Sequence, residues 1–217
     1  MTSSQTSSEI ERVDNVCAPS PTILLGDVPV NAIAIGTLAW SVTYPEKTQK
    51  PTVDQCHKLI QASLDIRPEG ITLFDTADTY SPSGGKLDIE HMETILFEIF
   101  DNVKALIATK GGMMRLNEES NGWRPLHSSK SFKPEDFKDL VQESLKRLTK
   151  EMKDKKIFLY QIHHMDDERL IEVIKVLKKV RDDEGTIQHL GLCNIKNLDL
   201  LKKCINAVQS TSCSSSV

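Results

Sequence analysis

Apolar and polar positions along the chain alternate between two periods. Short apolar runs at about 32–36, 71–75, 105–109, 157–162 and 186–192 read as buried strands. Between them lie longer stretches with apolar residues three and four apart, which read as helices. Thr52-x-x-Gln55 is a capping box opening a helix over about 53–66, with Leu59, Ile60 and Leu64 on one face, ended by Pro68 and Gly70. Residues 88–100 repeat the pattern through Ile89, Met92, Ile95, Leu96 and Ile99. Pro134, with Glu135 and Asp136 behind it, opens a helix whose apolar face is Phe137, Leu140, Val141, Leu145 and Leu148. Residues 167–182 place Leu170, Val173, Ile174 and Leu177 inward, with Gly185 beyond the end. A last helix spans about 197–207. Before all of these, Gly26-Asp27 between apolar runs predicts a β-hairpin.

Strand and helix alternate throughout, which predicts right-handed βαβ units and a parallel sheet covered by helices. The expected fold is α/β, an incomplete TIM-type (β/α)8 barrel of about five or six parallel strands preceded by the hairpin. A full barrel needs about 250 residues, and the chain has 217. The expected boundaries are a Ser/Thr-rich disordered tail at 1–20, a partial barrel domain at 21–208 and a Ser-rich tail at 209–217. Residues 81–86 and 113–132 read as loops, the second long enough to be functional or disordered.

Composition narrows the function classes. A net charge of −4 gives no basic surface for nucleic acid, and no apolar run reaches the 18 or so residues of a membrane span. Cys17, Cys56, Cys193, Cys204 and Cys213 are odd in number and lack metal-ligand spacing, which fits reduced thiols in a cytoplasmic protein. No metal site is expected. His163 and His164 are adjacent rather than spaced, which argues against a metal-dependent hydrolase.

In parallel α/β folds the working residues stand at the carboxyl ends of strands. Here those ends carry Gly36-Thr37, Asp75, Lys110, His163 and Cys193-Asn194, with Tyr80 a short loop beyond Asp75. An acid leaving a buried strand needs a partner, and Lys110 supplies one. The lysine would pull down the pKa of Tyr80, making the phenol a general acid, while a neutral His163 orients a carbonyl oxygen. Strand alternation predicts that only one of His163 and His164 faces the site. Each residue alone also suits a bland role, Asp75 in a structural ion pair and Tyr80 in packing. Together they suit carbonyl reduction. Hydride must then come from a nicotinamide cofactor, held without a Gly-x-Gly-x-x-Gly turn. Trp40, Trp123 and the 113–132 loop are candidates for lining a pocket, with surface packing the alternative.

The sequence resembles the aldo-keto reductases over about residues 22–207. The matching stretches are Gly36 to Trp40, Phe74 to Tyr80, Ile107 to Gly112, Ser144 to Leu148, Leu159 to His163 and Gly191 to Asn194, in the family's order. Trp40 and the Lys-Gly-Gly-Met pattern are most similar to the pyridoxal reductase-like branch. The resemblance implies a (β/α)8 barrel, NADPH as cofactor and reduction of an aldehyde or ketone to an alcohol. It implies a catalytic tetrad of Asp75, Tyr80, Lys110 and His163. It also implies cofactor contacts at Gly36, Thr37, Leu38, Asp75, Cys193 and Asn194. Cys193 stands where the family commonly has serine, a weaker hydrogen-bonding group at the nicotinamide carboxamide. Val208-Gln209 faintly resembles the family's sixth strand. With five strands counted, the tetrad is expected to be present and much of the cofactor grip absent, so weak NADPH binding and little activity are expected. Micromolar binding would contradict this. A non-catalytic interaction or regulatory relative, or a fragment, is the alternative.

Overall fold

The computed structural model describes residues 22–41, 50–65, 70–81, 91–100, 105–115, 123–149 and 156–209. The tail expected at 1–20 lies outside the described residues, as does the tail expected at 209–217 apart from Gln209, which ends the last helix; so do Pro68, Ile89, Cys17, Cys213 and the loop beyond Ser81. The hairpin forms from β1 (Thr22–Leu25) and β2 (Val28–Asn31), turning at Gly26, whose φ is +65°. That turn rests against the His189 ring, where a Cβ on Gly26 would collide.

The core sheet holds β3 (Ile35–Gly36), β4 (Thr72–Asp75), β5 (Ala105–Gly111), β8 (Ile157–Ile162) and β9 (Ile187–Leu192). They pair in the order β3-β4-β5-β8-β9, all parallel. Helices α1 (Leu38–Ser41), α2 (Val53–Asp65), α3 (Met92–Phe100), α4 (Asp136–Thr149) and α5 (Arg169–Lys179) lie between strands in the chain, and α6 (Leu198–Gln209) follows β9. This is the α/β architecture expected of a partial barrel, with five parallel strands among the described residues. The capping box forms as expected. Gln55 N–H donates to the Thr52 hydroxyl at 3.2 Å, and Thr52 N–H donates to the Gln55 side chain at 2.8 Å.

One sheet face is covered by helices. Phe74, Ile107, Tyr160 and Ile162 pack there against Leu96, Phe137, Val141, Leu170 and Val173, all buried. Leu73, Leu106 and Leu159 on the other face are half-buried. The 71–75 run therefore buries Thr72 and Phe74 more deeply than Leu73. Strand alternation dictates this, because residues two apart share a face.

Four expectations need correction. The strand at 32–36 shrinks to Ile35–Gly36, since its partner β4 offers only Phe74 and Asp75 in register. Residues 113–132 are not all loop: β6 (Met113–Arg115) pairs antiparallel with β7 (Trp123–Pro125), and a 3₁₀ turn follows at Leu126–Ser128. Three-residue strands are too short to show alternation. Val208-Gln209 is not a sixth strand but the end of α6. Leu200, Cys204 and Val208 recur every four residues on the face turned to the core. Helix α5 stops at Lys179 and passes into a π turn, Val180–Glu184, before Gly185 at φ +64°.

Gly111 is required by close approach: a Cβ there would overlap the buried Tyr160 hydroxyl. Gly111→Ala is expected to destabilise the chain by about 1–3 kcal/mol, as overpacking does. Urea unfolding of the two proteins measures it.

Candidate active site

The carboxyl ends of β4, β5 and β8 build the site. Asp75 ends β4, and Gly36 and Ala108 flank it in register on β3 and β5. Lys110 lies two residues further along β5, opposite Gln161 of β8 and still within the ladder. Alternation puts Asp75, Lys110 and Gln161 on the open face. Because β4 has ended, Lys110 reaches across it. Its ammonium donates to Asp75 Oδ2 at 2.8 Å and to the Thr76 carbonyl at 2.7 Å. Lys110 is 6% exposed, so these two acceptors replace most of its water. Gln161 Nε2 donates to the other carboxylate oxygen of Asp75, at 3.2 Å.

Thr37 fixes the turn after β3. Its amide and its hydroxyl both donate to the Asp75 carbonyl, at 3.0 and 3.1 Å. Gly36 and Leu38, on either side, are exposed. The turn carrying Tyr80 is tied to β5 by Thr76 N–H to the Ala108 carbonyl (2.8 Å) and Asp78 N–H to the Lys110 carbonyl (2.9 Å). Tyr80 is 8% exposed, with the Lys110 ammonium 5.0 Å from its ring centroid. The His163 ring meets it edge-on at 6.3 Å. The structure thus brings all four tetrad candidates together.

One electrostatic expectation changes. Burial pushes the Tyr80 phenol up from its ordinary value, and the Lys110 charge opposes that without reversing it. The expected net fall does not occur, because a ring so enclosed loses more from desolvation of its anion than one ammonium returns. His163 is held neutral as expected. Burial first, then Lys110, then His164 lower its imidazole from 6.5 to about 4, with Asp75 working the other way. Its Nδ1 is buried without a hydrogen-bond partner among the described residues. The rings of His163 and His164 stack at 4.9 Å and 22°, so the two are not sent to opposite faces. Both lie beyond Ile162, where β8 ends and alternation no longer applies.

At the end of β9, Cys193 N–H donates to the Ile162 carbonyl at 2.9 Å. Asn194 follows at φ +59° and is exposed. Its amide nitrogen lies 2.9 Å from the His163 carbonyl, 3.2 Å from His164 Nε2 and 3.3 Å from Cys193 Sγ. Trp40 instead lines a surface depression with Pro51, Gln55, Lys58 and Leu59, beside α2. The side chain of Trp123 lies outside the described set. Sequence reasoning missed Gln161. Its signal was a polar residue inside the run Ile157–Ile162, two before His163.

Among the described residues no group of three or more His, Cys, Asp or Glu could hold a metal ion, and no helix is long and apolar enough to cross a membrane.

The His163 shift has a consequence for stability. An unfolded-state histidine titrates near 6.5 and takes a proton that native His163 refuses until about 4. The contribution is present above pH 6.5 and is lost as pH falls through that window, on the order of 3 kcal/mol. In urea unfolding, His163→Gln is expected to flatten the loss of stability between pH 6.5 and 4, and imidazole NMR should show His163 neutral at pH 6.

A profile of the Aldo/keto reductase family matches residues 32–214. A search of curated proteins finds no match. Among solved structures, a glycerol dehydrogenase from Gluconobacter oxydans is 27% identical with a TM-score of 0.63, over 88% of this chain and 53% of that one. An aldo-keto reductase from Bacillus halodurans, in its holo form, is 22% identical with a TM-score of 0.62, over 88% and 55%. An aldo-keto reductase from Klebsiella pneumoniae in complex with NADPH is 20% identical with a TM-score of 0.56, over 85% and 52%. The chain thus spans about half the length of these structures. The motifs at the strand ends, the parallel sheet and the family match agree: the chain belongs to the Aldo/keto reductase family.

Proposed function

We propose that this chain carries the proton-donating site of an NADPH-dependent oxidoreductase that reduces an aldehyde or ketone to an alcohol. The observation that supports this most is Lys110, bound to Asp75 at 2.8 Å and 5.0 Å from the Tyr80 ring, with neutral His163 beside that ring. Tyr80 keeps its proton at neutral pH and donates it to the carbonyl oxygen as that oxygen gains negative charge. Lys110 stabilises the phenolate left behind, and Asp75, itself bound by Gln161, holds Lys110 in place. His163, uncharged, orients the substrate oxygen.

A nicotinamide, when bound, supplies the hydride. Asn194 is the residue best placed to meet its carboxamide, because an exposed amide stands at a strand end beside His163. Cys193 and the Gly36-Thr37-Leu38 turn follow the two edge strands, β9 and β3, and Asp75 ends β4 between them. The complex of the Klebsiella pneumoniae reductase with NADPH supports this choice of cofactor. A cytoplasmic setting belongs to the same proposal and rests on the free thiols of Cys56, Cys193 and Cys204.

A second reading is a non-catalytic relative that binds a protein. It is favoured by the two edges, β3 and β9, that have no partner strand among the described residues. One experiment separates the two. With an activated aldehyde and saturating NADPH, followed at the cofactor absorbance, Tyr80→Phe is expected to lower kcat by about 10²–10⁴-fold. A wild-type rate no higher than that of Tyr80→Phe would sink the reductase reading for this chain and leave the interaction protein or a fragment.

A further inference from the structure

The site does not use every buried charge near it. Behind β5, on the face covered by helices, Glu93 of α3 is fully buried. One of its carboxylate oxygens accepts from Arg147 Nε of α4 at 2.6 Å, and the other accepts from the Thr109 hydroxyl. Arg147 is tied in turn to its own helix, where it donates to the Ser144 hydroxyl at 3.3 Å. Thr109 is fully buried too, and alternation sends the next side chain, Lys110, to the opposite face. The residue that Glu93 grips is therefore the chain neighbour of the lysine at the site.

The same turn of α3 also meets Tyr80. Backbone bonds from Thr76 and Asp78 tie the start of the 76–80 turn to β5. The end of that turn is held from α3: Met92, the first residue of the helix, donates its N–H to the Tyr80 carbonyl at 2.9 Å. That amide is one of the donors that a helix start leaves without an intrahelical acceptor. Adjacent residues of one helix thus hold the two groups whose spacing matters. Met92 holds Tyr80, and Glu93 holds the strand beside Lys110. The circuit closes where the Lys110 ammonium lies 5.0 Å from the Tyr80 ring centroid. Met92, Ile95 and Leu96 also bury α3 in the core, but apolar contacts are non-directional and do not by themselves set a register.

We infer that Glu93 is a positioning residue: through its bond to Thr109 it fixes the start of α3, and with it Tyr80, relative to Lys110. It acts from behind the sheet and touches neither the open face nor a reacting atom. A buried carboxylate paired with arginine gains little stability over apolar side chains of the same volume. What it adds is direction, because both oxygens are committed, one to α4 and one to β5. The proposed reductase reading gives the spacing its use, but the spacing exists without turnover.

The test removes the bond from its strand end, since Glu93→Gln would leave Arg147 buried without its anion. Thr109→Val keeps the shape of the side chain and loses the hydroxyl. The readout is NMR of the full chain at neutral pH, with tyrosine labelled at Cζ. Tyr80→Phe assigns the Tyr80 resonance among the three tyrosines. Lys110→Met removes the charge beside the ring and is expected to move that resonance. In a Thr109→Val background the same replacement is expected to move it by less than about half as much, because the ring no longer sits against the ammonium. In Thr109→Ser, which restores the hydroxyl, the full change is expected. An equal change in Thr109→Val and in the natural chain overturns the inference. Should Thr109→Val give no folded spectrum, Thr109→Ala serves, and an undiminished change there overturns it too. Lys110→Gln stands in for Lys110→Met on the same terms. A merely structural role would lower the unfolding midpoint and leave the change intact. Because no turnover is measured, the reductase reading can fail without this one failing.

Discussion

The site depends on one ion pair, Lys110 with Asp75. It is unequal. The Lys110 side chain is 7% exposed and that of Asp75 is 38%. A buried ammonium without acceptors would shed its proton or leave the core. Two oxygens keep it there, and both come from the point where β4 stops. The parallel register must therefore place the end of β4 two residues short of Lys110, and a slip by one would turn Lys110 toward the helices. Thr37, just beyond β3, and Gln161, on β8 across β5, then hold Asp75 by its carbonyl and its free oxygen. Breaking a pair of this kind by removing one partner typically costs about 3–5 kcal/mol, because the other charge stays behind.

That fixed cation acts on both of its neighbours, with opposite chemical results. It disfavours a proton on His163, which burial already disfavours, so the two causes add. It favours the phenolate of Tyr80, which burial disfavours, so the two causes compete and burial wins. A donor must hold its proton before the reaction and release it during the reaction. In the role proposed for Tyr80, enclosure serves the first and Lys110 the second. A tyrosine already lowered to neutral pH would have no proton to give for part of the time.

What was legible in the sequence was whatever local pattern decides. The capping box at Thr52 and Gln55, the Gly26-Asp27 turn and the strands 157–162 and 187–192 follow from residues close in the chain. Strand-end chemistry was legible too, since the β/α alternation told which end of each run to inspect. The net direction of the Tyr80 shift was not, because it depends on how fully distant segments enclose the ring. Gln161 was hidden for a related reason: a polar residue inside an apolar run reads as noise until the register assigns it a partner. Glu93 was the plainest missed signal, a carboxylate between Met92 and Ile95, on the apolar face of α3. Such a residue is costly to bury alone, and Arg147, placed likewise among the apolar positions of α4, is the cation that a search for its partner would have found.

These two hidden charges change how the open face is understood. β5 alternates Thr109 and Lys110, and each takes an anion on its own side of the sheet, Glu93 behind and Asp75 in front. The two anions sit on different elements, one on a helix and one at a strand end. A shift of β5 relative to α3 therefore strains the rear contact, and a shift relative to β4 strains the front one. Asp78 crosses between the two regions, with its amide on Lys110 and its carboxyl beside Glu93. The half-exposed leucines of the open face provide little apolar anchoring there. The geometry of Tyr80 and Lys110 thus rests on hydrogen bonds of two kinds, those of the Lys110 ammonium to Asp75 and the Thr76 carbonyl, and those of the turn's backbone to β5 and Met92. This is how the five parallel strands among the described residues hold Asp75, Tyr80, Lys110 and His163 together.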